Sequence, residues 1–254
     1  MNPLDSKDDF SDKHQFKEDR FNLYFDEAEL INVKWWQLLT GDGIHLKEAK
    51  LSHGYIEIYN EARLPNEGIS KVGKYPHQLI ASAGSPIHVD KLALTNVDVS
   101  YEEFNPVCDT SGRIDFKSTS GTISNITNVP DIIATNPWMK MEATSLIMGN
   151  GELKTQINFD LKNAAEGSFM VDATLGAMDG KVLNKASKGL GLVAIEELAI
   201  DKLETHLKGT NNQATGRIIF MYHNLKIAAL KMKKASLKKA CTHYVPGQKF
   251  YCKK

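Results

Sequence analysis

A chain of 254 residues that is 42% hydrophobic and 24% charged has enough apolar material for a folded core, in one large unit or two smaller ones, and is not disordered throughout. Its 31 basic and 31 acidic side chains cancel to zero formal charge, so no overall field draws it to nucleic acid, and no nucleic-acid partner is expected. No run approaches the roughly 18 apolar residues of a spanning helix, and Met1 to Asp12 is acidic where a signal peptide would be basic and then apolar.

In chain order, residues 1–29 carry nine carboxylates against four basic side chains, and residues 1–19 are expected to form an acidic, disordered end. Residues 20–65 read as a first strand unit. Inside it, Trp35-Trp36-Gln37-Leu38-Leu39 predicts a short helix or packed crossover, stopped by Gly41-Asp42-Gly43. Pro76, Gly68, Gly73 and Gly84 predict a long connecting loop over residues 66–85, the best place for a boundary between two units.

A repeat runs through the strands. Phe25 to Val33, Val89 to Val97 and Ile195 to Leu203 share one frame of apolar and acidic positions, and Ile44-His45-Leu46 matches Ile87-His88-Val89. The irregular spacing excludes a fixed-period solenoid, so each copy is expected to open one long strand.

Strict alternation follows. Leu153, Thr155, Ile157, Phe159 and Leu161 alternate with polar residues, which marks a half-buried strand. Met139, Met141, Ala143 and Ile147 keep the same parity, as do Phe169, Val171, Ala173 and Leu175. Gly149-Asn150-Gly151 predicts a type I′ hairpin turn, and Lys162 to Glu166 is short enough for a second hairpin. The product is an antiparallel meander with one apolar and one polar face. Gly176 to Gly191 breaks the alternation and predicts a helical turn around Leu183 to Lys188. In the two long strands beyond it, parity flips between Ile200 and Leu203 and between Tyr222 and Leu225, the mark of β-bulges. Lys208 to Asn212 joins them. Residues 231–254 form a basic tail of eight lysines with no carboxylate, read either as a solvated end or as a contact for an anionic membrane.

Catalytic chemistry has no footing. A nucleophile requires a base and an exposing turn, and no such signature is present; neither is a phosphate-cradling glycine loop. Cys108, Cys241 and Cys252 have no metal-ligand spacing, and His45 and His88 lack companion ligands. Glu102 and Glu103, adjacent on one strand, point to opposite faces and cannot share a substrate. Asn125-Ile126-Thr127 fits a glycosylation sequon, a pattern short enough to arise by chance. Met139, Met141, Ile147, Met148 and Met170 form a methionine-rich lining of the kind that fills cores. The expectation is a protein that is not an enzyme, with no cofactor, no metal and no catalytic residue.

The segment Leu94 to Asn105, with Gly112-Arg113-Ile114-Asp115-Phe116 and Gly121 to Asn128, resembles the AsmA-like proteins of bacterial envelopes. The likeness continues in family order through Gly176 to Gly180, Leu183-Asn184, Ile195 to Leu203 and Ala214 to Lys226, within a β-groove unit taken as residues 86–230. Thr119 departs from it, being polar where an apolar residue is expected, as does the lysine-rich end. The resemblance implies a periplasmic, membrane-associated protein whose strands form an apolar-lined groove that contacts or conducts phospholipid or another acyl-chain lipid, linked to outer-membrane assembly or lipid homeostasis. It also implies a membrane anchor in regions absent from this chain. The fold class expected is all-β, with long antiparallel strands in a curved, apolar-lined sheet or groove and short helices at crossovers. The lipid-facing set is then Met139, Met141, Ile147, Leu153, Ile157, Phe159, Leu161, Phe169, Val171 and Leu175. The alternative is a structural or adhesive β-sandwich, in which two apolar faces close on each other.

Overall fold

The computed structural model describes residues 6–16, 19–65, 73–107, 109–233 and 236–244. Cys108, Cys252 and part of the basic tail lie outside these residues.

Helix α1 (Lys7–Lys13) leads into strand β1 (Asp19–Ile31), followed by α2 (Trp35–Thr40), β2 (Ile44–Glu61), α3 (Pro76–Ala81), β3 (Ile87–Asn105) and β4 (Thr110–Thr127). Then come α4 (Pro130–Thr135), β5 (Trp138–Ile147), β6 (Gly151–Asp160), β7 (Phe169–Leu175) and the two-residue β8 (Met178–Asp179). The last elements are α5 (Asn184–Gly191), β9 (Val193–Gly209), β10 (Ala214–Lys233) and β11 (Ser236–Tyr244), with 3-10 turns at Ala164–Glu166 and Gly180–Leu183. The acidic end, expected to be disordered, holds α1: the Ser6 hydroxyl caps it by accepting from Asp9 N, and Phe10 is buried edge-on against Tyr59. The loop expected over 66–85 holds α3, which begins at Pro76, where a missing N–H costs a helix nothing.

All eleven strands belong to one curved, unclosed sheet in the order β1-β2-β3-β4-β5-β6-β7-β9-β10-β11, with β8 against β9. Every pairing is antiparallel except β2 with β3. A parallel pair needs a long crossover, and residues 62–86 with α3 supply it. The matching tripeptides of the sequence repeat lie side by side in this pair, Ile44 opposite Ile87, His45 opposite His88 and Leu46 opposite Val89. The copies at Val89 and Ile195 sit near the starts of β3 and β9, but Phe25 falls at the middle of β1.

Bulges bend the long strands. Register shifts at Met221/Tyr222 and between His223 and Lys226 fall where the parity of β9 and β10 flips. A second set crosses β2, β3 and β4, where His53, Asn96 and Ser118 hold positive φ of 51°, 52° and 50°. Each extra residue restores the alternation, so Leu92 and Leu94 before the bulge and Val97 after it share a face.

Two small cores form where short elements cap the sheet. Met139, Phe159 and Leu161 are buried with Ile80 of α3 and Ile133 of α4 packed against them. Leu175, Met178, Leu198 and Ile200 are buried under Val182 and Leu183 of the second 3-10 turn. Each such side chain contributes about 1.5–3 kcal/mol by leaving water. Where β5 has ended, α5 takes its place along β4: a Cβ on Gly189 would lie within 2.5 Å of the Ser111 and Gly112 backbone, so only glycine allows that approach.

Candidate functional site

The registers place Met139, Phe159 and Phe169 in one row, Met141, Ile157, Val171 and Leu207 in the next, then Ala143, Thr155, Ala173, Thr205 and Ile218. Ser145, Leu153, Leu175, Leu203 and Phe220 follow. Residues directly opposite in antiparallel strands share a face, so these rows form one apolar surface five strands wide. Short elements close it at both ends, and no described element covers it between them. Of the ten residues expected to face lipid, Met139, Phe159, Leu161 and Leu175 are buried in the two cores, beneath α3 and α4 or against the 3-10 turn, and line nothing open. Ile147 and Leu153 pack on one core, Ile157 and Phe169 on the other. Met141 and Val171 belong to neither and lie half-buried between them.

Two methionines expected in the lining lie elsewhere. Met170 is paired with Asn158 and points to the polar face, and Met148 sits in the β5–β6 turn, where its sulfur accepts from Asp115 N at 3.2 Å. Sequence reasoning missed Leu207, Ile218 and Phe220, which extend the apolar face onto β9 and β10. Their alternation was visible, but β8 and α5 intervene in the chain, so nothing local tells that β9 returns to pair with β7.

A hollow of about 750 Å³ lies against the opposite, polar face. Across it runs a row of Glu142, Gln156, Asp172, His206 and Arg217, with Lys154, Thr144 and Glu204 beside it. His206 Nδ1 meets Asp172, and Gln156 Nε2 donates to Glu142 at 3.4 Å. These side chains are solvated, His206 being 55% exposed.

Charge is concentrated further along the polar face, on β2, β3 and β4. Glu61, with no exposure, accepts from Arg63 Nε at 2.9 Å, from Arg63 Nη2 at 2.8 Å, from the Arg63 backbone N–H at 3.0 Å and from Tyr59 OH at 2.9 Å. Burial alone would raise its pKa; the bonds from Arg63 and Tyr59 outweigh burial and hold it below the ordinary value. Asp115 is also buried and also held low, because Arg113 Nε at 2.7 Å and Lys185 Nζ at 3.3 Å from α5 outweigh its burial. Arg113 lies 3.6 Å from Glu102, which in turn takes Lys7 of α1 at 2.7 Å. This chain of pairs ties α1 and α5 to the sheet. Glu102 and Glu103 do part to different partners, Glu103 accepting from Tyr101 OH at 2.9 Å.

The remaining candidates have structural roles. His45 and His88 have ring centroids 6.3 Å apart, and His88 Nε2 pairs with Asp90 at 2.7 Å. Among the described residues no group of His, Cys, Asp or Glu side chains is placed to hold a metal ion. Asn125 is buried and its amide donates to the carbonyls of Asn136 and Trp138 at 2.9 and 3.0 Å, so the nitrogen a glycan would need is already engaged. Thr119 is buried opposite Val97, its hydroxyl donating to the Phe116 carbonyl at 3.1 Å, which explains how a polar residue fits there. No helix among the described residues is long and apolar enough to cross a membrane.

Fold and face together define an open, single-layered β protein with one apolar and one polar side. Compared with family models, curated proteins and solved structures, the chain matches none.

Proposed function

We propose that this protein is a non-enzymatic, lipid-contacting module of the cell envelope, and that acyl chains cover the middle of its apolar face. The observation that carries this reading is the strip of Met141, Val171 and Leu207, only half-buried, with Ile218 49% exposed, on a sheet that no second described sheet covers. Side chains left partly in water forfeit part of the roughly 1.5–3 kcal/mol that full burial of each would contribute, and the strip is continuous over several strands, which suits an extended chain. The sandwich alternative would need a second sheet, and every described strand is already used in the first. The resemblance of the β3 and β4 motifs to envelope proteins supports the same reading, with a role in outer-membrane assembly or lipid homeostasis as part of the proposal.

The test is native mass spectrometry of protein purified without added lipid, beside Val171→Asp. Phe159 is unsuited to this test, since a charge there would break a buried core. Wild type is expected to carry phospholipid adducts and Val171→Asp to lose most of them with its circular dichroism unchanged. A wild type that is lipid-free and dimeric would overturn the proposal and favour a scaffold whose apolar faces close on each other.

A further inference from the structure

Helix α2 has no buried residue. Trp35 is 59% exposed, Trp36 77%, Leu38 41% and Leu39 78%, and the flanking strand residues Leu30 and Ile44 are 53% and 42% exposed. Large apolar side chains at these exposures are ordinary singly and informative together. Leu30 continues a row of the apolar face through Ala49, Leu92, Ile123 and Met141; the four α2 side chains lie beyond the strands, at the tip joining β1 to β2, on the rim where α3 also carries Leu79, 55% exposed.

The tip is held in place. Lys34 N–H donates to the His45 carbonyl at 2.9 Å, Asp42 N–H to that of Gln37 at 2.9 Å and Ile44 N–H to that of Pro86 at 2.8 Å. Gly41 ends the helix at φ 80°, as a left-handed cap does. The indoles are therefore presented on a fixed support. Lys34 and Lys47 are exposed beside them.

We infer that the α2 tip is a membrane-interface anchor, seating Trp35, Trp36 and Leu39 at the boundary between headgroups and acyl chains of a lipid bilayer. Size and shape together favour a bilayer over a protein partner or a second copy. The α2 side chains alone offer on the order of 500 Å² of apolar surface, below the roughly 800 Å² that each side of a stable protein interface buries, and the further apolar area at Leu30, Ile44 and Leu79 is spread along the rim on three other segments. It is also a projecting six-residue helix, which a bilayer accepts without a complementary pocket. Indoles favour that boundary because one edge is apolar and the N–H remains wet, and flanking lysines meet lipid phosphates. This contact does not rest on lipid covering the sheet face, and either can fail without the other.

The experiment is flotation of the full chain with phosphatidylcholine vesicles at high salt, where attraction of the basic tail is screened, together with tryptophan emission in a Trp138→Phe background that leaves only Trp35 and Trp36 as reporters. The expected result is co-flotation with blue-shifted emission, and at least a tenfold loss of binding in Trp36→Ala/Leu39→Ala with unchanged melting temperature. Absence of flotation, or equal flotation of the double variant, would overturn the proposal. A blue shift that needs no vesicles and grows with protein concentration, alongside dimers in light scattering, would assign the tip to a second copy instead.

Discussion

At the scale of single residues, the least comfortable group is His77. It is wholly buried on α3, its ring 5.0 Å from that of Phe159 and stacked 6.1 Å from that of Tyr75, and neither ring nitrogen has a hydrogen-bond partner. Burial lowers its pKa, offset in part by Asp160, so the folded protein holds it neutral. The unfolded chain binds a proton below the ordinary value of 6.5 and the folded chain does not, so the titration of His77 has no effect on stability above that pH and destabilises the fold as the pH falls below it. Thermal melts of His77→Phe should therefore lose less stability between pH 7.5 and about pH 5.5 than those of wild type; equal losses would show that His77 is not the group responsible. The buried carboxylates act lower. Glu61 and Asp115, both held below their ordinary values, contribute stability above the carboxylate range that is lost as the pH falls through it. None of this was legible in the sequence, because a lone histidine after Pro76 carries no sign of the aromatic rings that β6 and the preceding turn bring to it.

At the scale of elements, local chemistry predicted what local chemistry controls. Alternation gave β5, β6 and β7, the Trp35 to Leu39 run stopped by Gly41 gave α2, and parity flips gave the bulges of β9 and β10. The turn after β5 was misplaced because a tertiary contact sets it. Positive φ falls on Met148 and Gly149, at 53° and 70°, in place of Asn150 and Gly151. Met148 N–H is drawn to the Asp115 carbonyl at 2.7 Å, and Asn150 Oδ1 is occupied in accepting from Asp179 N. The bulge across β2, β3 and β4 supplies an element-scale prediction. Asn96 is exposed at φ 52°, a conformation that asparagine tolerates and β-branched residues resist. Asn96→Val should cost about 1–2 kcal/mol in chemical denaturation and Asn96→Gly only a few tenths. Equal costs would mean that the side chain, and not the backbone, holds the bulge.

At the scale of the whole molecule, the amino-terminal strands and the meander are one sheet, joined by the parallel pair β2 and β3. The sequence repeat hinted at this joint, but pairing between strands separated by a crossover depends on long-range register that no local pattern encodes. The face of the meander was readable because its period is two; its lack of a second layer was not, since covering a face is a property of the assembled sheet. A one-sided sheet with its cores at the ends leaves the strip between them as the surface to explain. Val171 and Asp172 are adjacent on β7 and face opposite sides, so they report on the two faces within one strand. The most direct measurement is photo-crosslinking in cells from benzoylphenylalanine placed at Val171 or at Asp172, with lipid adducts read by mass spectrometry. Acyl chains on the apolar face predict phospholipid adducts from position 171 and few from position 172; equal yields from both, or none from 171 in a folded protein, would contradict it.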